Sequence, residues 1–405
     1  MSLRHEIYLD VAATTPVAPE IVAAMTSLMG AAFGNPSSVH RRGDAAREVL
    51  GVARAQVAAF AGAVPEEVVF TATGSEANNL ALRGLLASAA PDRRRLVVSA
   101  IEHPSVLETA RDLESSGVPI TIVPVDANGV VDPDRLAAVL GPDVALVSVM
   151  WVNNEIGTIQ PVEALAEVAH RAGARFHCDA VQAAGKLRLD MTASGIDLLT
   201  LAGHKFHGPL GAAALIVRRR VRVQPLVTGG HQERSRRAGT ENLPALAGFG
   251  MACVRAAARL EEGRAIELVT LGELLWSRLR LAAPNARLHG EGGARLASIV
   301  NVSFPGVDGE ALLHELDARG ITVSTGSACS AASPGPSPVL LALGVTAEVA
   351  HSSVRFSTGE AITEADIEKV AEVVPQAIAS LRALANEQTS PNESSAGARV
   401  AGSRT

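Results

Sequence analysis

Short apolar runs separated by amphipathic stretches dominate the first two thirds of the chain. Runs at Glu67–Phe70, Arg95–Ala100, Ile120–Val123, Val144–Trp151, Ala174–Cys178, Asp197–Leu201 and Gly211–Val217 predict strands, and helical periodicity fills most of the intervals. Strands alternating with helices predict an α/β fold built on a mainly parallel seven-stranded sheet. A helical pattern from Asn242 to Leu281, carried by Leu243, Leu246, Phe249, Leu260, Leu271, Leu275 and Leu279, breaks near Glu262-Gly263 and predicts a bridge into a second unit. There, strands near Ala297–Phe304 and Ser353–Ser357 and helices near Gly309–Arg319 and Glu364–Leu384 predict a smaller α+β domain. The pattern divides the chain into a large domain over 15–255 and a small one over 1–14 and 256–385, the latter carrying a mobile loop at about 324–338. From Asn386 the sequence is almost without apolar residues, and 386–405 is expected to be disordered.

Composition changes this picture little. The 405 residues are 47% hydrophobic and 19% charged, which suits a soluble protein with a large core. A net charge of −6 gives no global basic character, and the basic runs Arg93-Arg94-Arg95 and Arg218-Arg219-Arg220 are too short to suggest nucleic acid; they read as solvated turns. The N-terminus lacks a signal-like apolar core and no later run approaches an uninterrupted membrane span, so a cytoplasmic protein without membrane attachment is expected. Three cysteines, Cys178, Cys253 and Cys329, without metal-ligand spacing, fit a reducing compartment and leave room for a working thiol.

The chemistry gathers at predicted strand ends. The stretch from Phe176 to Gly211 puts Asp179 at the end of one strand and Lys205 just past the next, both at the carboxyl edge of the sheet. A lysine that can condense with an aldehyde and an aspartate that can keep a pyridine nitrogen protonated are what a pyridoxal phosphate site needs. Taken singly, Lys205 also reads as a surface lysine in a turn, whose glycines at 203, 208 and 211 let the backbone crowd a ligand, and Asp179 as a helix cap. Gln182 can reach the same pocket. In V-V-F-T-A-T-G-S-E-A-N-N-L a strand and turn lead into a helix with the capping-box pattern Thr73-x-x-Glu76, and Gly74 and Ser75 offer donors to a phosphate.

His103 ends another strand, where an imidazole can stack on a flat ring and move protons, or serve structure alone. Asn153 and Asn154 follow a further strand and suit hydrogen bonds to a substrate or cofactor oxygen, or an Asx turn. Arg355 alternates against Val354 and Phe356; its guanidinium matches a substrate carboxylate, or an acid within the protein. Cys329 lies in S-T-G-S-A-C-S-A-A-S-P-G-P-S-P, a run of about fifteen mostly small residues of the length that marks functional loops. A thiolate there can attack sulfur on a cofactor-bound substrate; the alternative is a packed small cysteine, the reading given to Cys178 and Cys253.

Together these motifs make the chain resemble the cysteine desulfurases of the class V aminotransferase group, more narrowly the NifS/IscS-like group I. The resemblance runs from Y-L-D-V-A-A-T-T-P through F-G-N-P-S-S-V-H, T-G-S-E-A-N-N-L, E-H-P-S-V-L, V-N-N-E-I-G, H-C-D-A-V-Q, G-H-K, R-A-G-T-E-N and G-S-A-C-S to H-S-S-V-R-F-S, nearly the whole chain to about Leu384. It implies a fold-type I pyridoxal 5′-phosphate enzyme, a homodimer with a shared active site, that converts L-cysteine to L-alanine and leaves sulfur as a persulfide on Cys329. It implies Lys205 as the cofactor-linked lysine, Asp179 as the pyridinium partner, Gln182 as a ring-oxygen contact and His103 as a stacking group assisting proton transfer. Gly74, Ser75 and His204 would bind phosphate, with Thr240 doing so from the neighbouring subunit. Asn154 and Arg355 would hold the substrate carboxylate, with Asn35 nearby. The sulfur acceptor implied is an iron–sulfur scaffold or a tRNA-thiolation protein. Ala202 departs from relatives that commonly place a hydroxyl residue there against the phosphate. In the same fold, a cystine or selenocysteine lyase or an aminotransferase would use the cofactor residues without needing Cys329, and a partner-binding scaffold would keep the fold without turnover.

Overall fold

The structure, a computed structural model, describes residues 6–31, 33–325 and 335–389. Its strands are β1 Ile7–Tyr8, β2 Val68–Thr71, β3 Arg95–Ser99, β4 Ile120–Val123, β5 Val144–Ser148, β6 Arg175–Asp179, β7 Leu198–Ala202, β8 Ala213–Val217, β9 Arg287–Leu288, β10 Ile299–Ser303, β11 Ile321–Thr322 and β12 Ser353–Ser357. Seven of them form one sheet in the order β2-β8-β7-β6-β5-β3-β4. Pairing is parallel from β7 through β4, while β8 runs antiparallel to both neighbours.

Both faces of this sheet are covered, so its strands are apolar on both sides. Val68, Phe70, Val97, Val147, Leu199 and Leu201 enter the core on one face. Val69, Leu96, Val98, Leu146 and Leu198 enter the core on the other. The apolar run at 144–151 outlasts its strand: β5 stops at Ser148, and the chain then donates from Val149 to the His177 carbonyl and from Trp151 to that of Asp179. Those bonds carry the segment after β5 along the carboxyl edge of β6.

A separate core joins the end of the chain to its beginning. Ile7, Leu9, Leu275, Val300, Phe356 and Ile367 pack together. β1 pairs in parallel with β11, and β10 pairs antiparallel with β12 and β9. The two-residue strands β1, β9 and β11 are too short for a period of two to reveal them in the sequence.

The long helical pattern resolves into Leu243–Glu261 and Ala265–Ala282, with Gly263 at φ +73° between them. The first of these is apolar and long enough to cross a bilayer by length and composition, and half of it is buried in the core. The last helix spans Glu364–Thr389, so one turn of the stretch expected to be disordered from Asn386 is helical. The rest of that stretch, and Cys329 with residues 326–334, lie outside the described residues.

Candidate active site

Asp179 closes β6 and is 4% exposed. Its Oδ1 accepts the Val181 N–H at 3.0 Å, but this closes a turn and not the helix cap expected from sequence, because a run of turns leads from β6 to β7. Its Oδ2 accepts from Asn78 Nδ2 at 2.7 Å. Asn78, on the helix Gly74–Ser88, also donates to Ser105 Oγ at 2.9 Å, while its own Oδ1 is buried without a partner.

Lys205 ends the short turn Gly203–Lys205 that follows β7, the neighbour of β6. Its Nζ donates to the carbonyls of Ala12 at 2.8 Å and Ala13 at 2.7 Å. Gln182, buried, donates from Nε2 to the same Ala12 carbonyl at 2.7 Å. The N-terminal segment is fastened over this turn: Thr15 donates N–H and Oγ1 to the His204 carbonyl, and His204 Nδ1 lies 3.1 Å from Thr14 Oγ1. Burial, reinforced by Lys205, pushes the His204 imidazole down to about 4. Two of the three glycines around the turn are held by packing. A Cβ on Gly203 would meet the Phe249 ring at 2.9 Å, and one on Gly208 would meet the Gly203 carbonyl at 2.8 Å.

A half-buried second amine stands beside this pair. Lys186 Nζ reaches the Gln182 carbonyl at 3.2 Å and its Oε1 at 3.3 Å. Burial and the Lys205 charge bring it down to about 7.

The helix Gly74–Ser88 begins at the same edge. Thr73 Oγ1 accepts the Glu76 N–H at 3.0 Å, but Glu76 reaches back to the Ala72 N–H rather than to Thr73, and it also pairs with Arg237 at 2.8 Å. Ser75 is exposed and Gly74 partly so, leaving this helix start open to an anion. A Cβ on Gly74 would meet Val181 Cγ2 at 3.2 Å and Ala202 Cβ at 3.5 Å. Gly74 therefore leaves a cradle that a side chain would fill, and Ala202 stands against it as a methyl group where a hydroxyl would add a donor.

His103 caps the helix Pro104–Ser115, its Nδ1 accepting the Ser105 N–H at 3.1 Å and lying 2.8 Å from Ser105 Oγ. Burial lowers its pKa, Asp179 opposes that shift and Lys205 adds to it. Asp179, Asn78, Ser105 and His103 thus form one connected chain. Behind His103 lies Glu102, 2% exposed, whose Oε1 accepts from Ser99 Oγ and from the Met150 N–H at 2.8 Å. Its Oε2 has no partner, and burial pushes the carboxyl up to about 8.

On the opposite side Arg355 is 3% exposed on β12. It donates to the Asn154 carbonyl at 2.9 Å and pairs with Asp10 at 2.7 Å; its buried Nε has no partner among the described residues. Arg355 and Asn154 are thus in contact, and the guanidinium also has the internal acid that sequence reading allowed. Asn153 is structural: its Oδ1 accepts the Glu155 and Ile156 N–H groups at 2.9 and 3.0 Å, an Asx turn. Glu155 is buried against Ser337, and burial pushes it up to about 7.

Two expected residues stand apart. Asn35 is exposed, its Oδ1 taken by the Ser37 N–H at 2.8 Å. Thr240 is exposed beyond a left-handed turn, where Glu233, Arg234 and Ser235 hold φ of 48°, 56° and 63°. That strained turn is pinned by buried Glu233, which takes a fork of bonds from Arg54 at 2.7 and 2.6 Å and the Phe70 N–H at 2.9 Å. Among the described residues neither Asn35 nor Thr240 hydrogen-bonds to the cluster around Lys205.

Asn78, Ser105, Glu102, Lys186 and the Ala12 and Ala13 carbonyls were not singled out from sequence. Asn78 alone carried a readable signal, one helical turn beyond Gly74 on a face otherwise filled by Ala77 and Ala81.

The donor set suits pyridoxal phosphate: a buried carboxylate held by an amide, a lysine one strand away, a neutral imidazole and an open helix start beside a glycine cradle. The Aminotransferase class-V family profile matches residues 7–370. A cysteine desulfurase IscS of Methanosarcina thermophila is 43% identical over 376 residues, 93% of each chain. A cysteine desulfurase of Cereibacter sphaeroides is 44% identical over 382 residues, 94% of this chain and 97% of its own. Among solved structures, a NifS-like protein superposes with a TM-score of 0.86 at 32% identity, covering 93% of this chain and all of that one. The structure of SspA in complex with cysteine superposes with a TM-score of 0.76 at 33% identity, covering 87% and 98%.

Proposed function

Since the chain belongs to the class V aminotransferase family and within it is a cysteine desulfurase, we propose that it binds pyridoxal 5′-phosphate at the β6–β7 edge and passes the sulfur of L-cysteine to Cys329. The observation that carries the reading is the placement of Asp179 and Lys205 at the carboxyl ends of adjacent parallel strands, enclosed by His103, Asn78 and Gln182.

Bound pyridoxal phosphate supplies an electron sink for the charge left at the substrate α-carbon. Lys205 would anchor its aldehyde, and Asp179, held by Asn78 and Val181, would keep the ring nitrogen protonated. Gln182 and His103 would contact the ring. Gly74, Ser75 and His204 would take the phosphate, joined by Thr240 of a second subunit in a homodimer. Arg355 and Asn154 would orient the substrate carboxylate, with Asn35 at the entrance. The Lys205 amine, when free, would serve as the base that takes the substrate α-proton. The Cys329 thiolate then attacks the substrate sulfur: a sulfur–sulfur bond forms, the carbon–sulfur bond breaks, and its electron pair goes to the β-carbon, which is protonated to give alanine. The persulfide on Cys329 is passed to an acceptor protein, either an iron–sulfur scaffold or a tRNA-thiolation partner. The lowered pKa of His103 keeps its imidazole neutral near pH 7, able to take a proton as well as give one. We place the enzyme in the cytoplasm, where a reducing environment keeps Cys329 as a thiol.

Two measurements test this. Purified, cofactor-loaded protein should release alanine from L-cysteine, and mass analysis should find one added sulfur on Cys329. Persulfide and turnover should both vanish in Cys329→Ala while the Lys205-dependent visible band persists. Cysteine turnover that survives in Cys329→Ala would overturn the assignment of the sulfur carrier.

A further inference from the structure

The two arginine runs that read as separate solvated turns converge in space. Arg93 from one run and Arg220 from the other line a single cavity of about 310 Å³, together with Arg175 and Arg222. Arg175 opens β6, whose last residue is Asp179. The cavity is therefore at the amino end of the sheet, about 13 Å along the strand from the catalytic edge.

The charge there is uncompensated. Arg93 spends its guanidinium on three carbonyls, those of Pro142, Ala172 and Gly173, which fix its position without neutralising it. Arg175 and Arg220 share one carboxylate oxygen, Asp197 Oδ1, at 3.2 and 3.3 Å. Asp197 is fully buried, and its other oxygen takes His170 Nε2 at 2.7 Å and the Phe176 N–H at 3.0 Å. Arg222 forms no ion pair among the described residues. Counting Asp143, whose carboxylate feels Arg93 and is held in a fork by Arg95, five guanidinium groups stand against two carboxylates, a surplus of three positive charges on a chain whose net charge is −6. The remaining wall is mostly apolar, contributed by Leu85, Ala89, Ala90, Ala145 and Val221, with Ser88 as its one uncharged polar side chain.

We propose that this cavity is a second ligand site, for a small organic diphosphate. Guanidinium forks match phosphate oxygens two at a time, and a diphosphate brings a charge of about −3 to a surplus of three. The volume falls at the lower end of the range of small-molecule sites, about 300–1,000 Å³, and the apolar wall gives an uncharged organic part a surface to cover. A flat face for a protein partner would need neither the depth nor that wall. Arg220 and Arg222 are exposed on either side of buried Val221, and both line the opening.

The test uses the full, cofactor-loaded protein, in which the catalytic phosphate site is taken, titrated calorimetrically at low salt with ADP, inorganic pyrophosphate and hexaglutamate. Saturable binding of ADP, tighter than that of pyrophosphate, is expected. Arg222→Glu and Arg220→Glu should each weaken it about tenfold or more, the size expected for losing a hydrogen bond to a charged group. Both side chains are at the opening and make at most one ion pair, so folding, the visible cofactor band and cysteine turnover should stay as in the parent. Absence of ADP binding, ADP binding indifferent to both substitutions, pyrophosphate binding as tight as ADP, or hexaglutamate binding in place of ADP would each overturn the proposal.

Discussion

Gln182 and Lys205 donate to one and the same acceptor, the Ala12 carbonyl oxygen, at 2.7 and 2.8 Å. The N-terminal segment is thereby a wall of the site, since the bridge between Asp10 and Ser357 and the Asp10–Arg355 ion pair tie it to β12 as well. Gln182 is the link between this wall and the second amine, because its Oε1 receives Lys186. Gln182→Leu removes the donor to Ala12 and takes from Lys186 its side-chain acceptor, leaving it the main-chain carbonyl of residue 182. The expected result is a loss of about 1–2 kcal/mol of stability by thermal unfolding. Cofactor retention on dilution, followed by visible absorption, should also fall, with alanine production reduced in parallel.

Asn78 offers a second test, because one amide nitrogen serves both Asp179 and Ser105. Asn78→Ala frees the carboxylate and unlinks Ser105, and through it His103. Turnover should drop by about 10- to 100-fold, in the range of losing a single preorganised contact, with the far-ultraviolet circular dichroism spectrum unchanged. Asn78→Asp should be worse than Asn78→Ala, since it sets a second carboxylate against Asp179. If steady-state alanine production ranks the two variants the other way, the amide is not acting through its donor.

The candidate edge was legible in the sequence as a place, because each of its parts follows an apolar strand. Asp179, Lys205, His103 and Asn154 follow directly from where β6, β7, β3 and β5 run out, and Gly74 from the turn after β2. What stayed hidden depends on long-range contact. The Ala12 carbonyl carries no side-chain signal, and the Asp10–Arg355 pair joins residues 345 positions apart. The packing demand on glycines 203 and 208 stayed hidden because crowding by Phe249 and Ala252, on a helix more than forty residues later, leaves no trace in the local pattern. The arginine runs misled for the same reason: each is short alone, and only the sheet order β8-β7-β6-β5-β3, with β8 antiparallel, sets the end of β8 and the start of β3 at the same edge, where Arg93 and Arg220 line one cavity.

Glu233 holds three consecutive left-handed residues in place through Arg54 and the Phe70 N–H. Its removal leaves Arg54 buried and unpaired while releasing the turn that leads to Thr240. Glu233→Ala should cost about 3–5 kcal/mol, the usual penalty for breaking a buried pair from one side. Removing both charges in Arg54→Leu/Glu233→Leu should recover part of that loss, because no charge is then left stranded. Denaturant unfolding of the single and double variants reads the coupling directly. Additive losses would show that the pair does not act as a unit.

Glu102 gives the structure a dependence on alkaline pH. Its carboxyl is raised to about 8, first by burial and further by the Asp179 charge, against an ordinary value near 4.5. A raised folded-state value means that the folded protein holds a proton the unfolded chain has already released. Stability from this group is therefore full below pH 4.5 and declines as pH rises toward 8, beyond which the loss is complete. His177 has the opposite sign. Fully buried between Ser148 and Thr200, it is pushed down to about 4 and costs stability as pH falls from 6.5 toward 4. Their windows overlap between about pH 4.5 and 6.5, where the opposite slopes cancel, so the two groups together predict a plateau of maximal stability there, falling on the acid side and toward pH 8. Glu102→Gln keeps the shape, and its Oε1 can still accept from Ser99 and Met150, but it has no proton to lose. It should flatten the alkaline slope by on the order of 2 kcal/mol between pH 6 and 9 and leave the acid slope intact. Unfolding free energy measured across that pH range decides the matter: an alkaline slope equal in the parent and in Glu102→Gln would mean that Glu102 is already ionised in the folded protein.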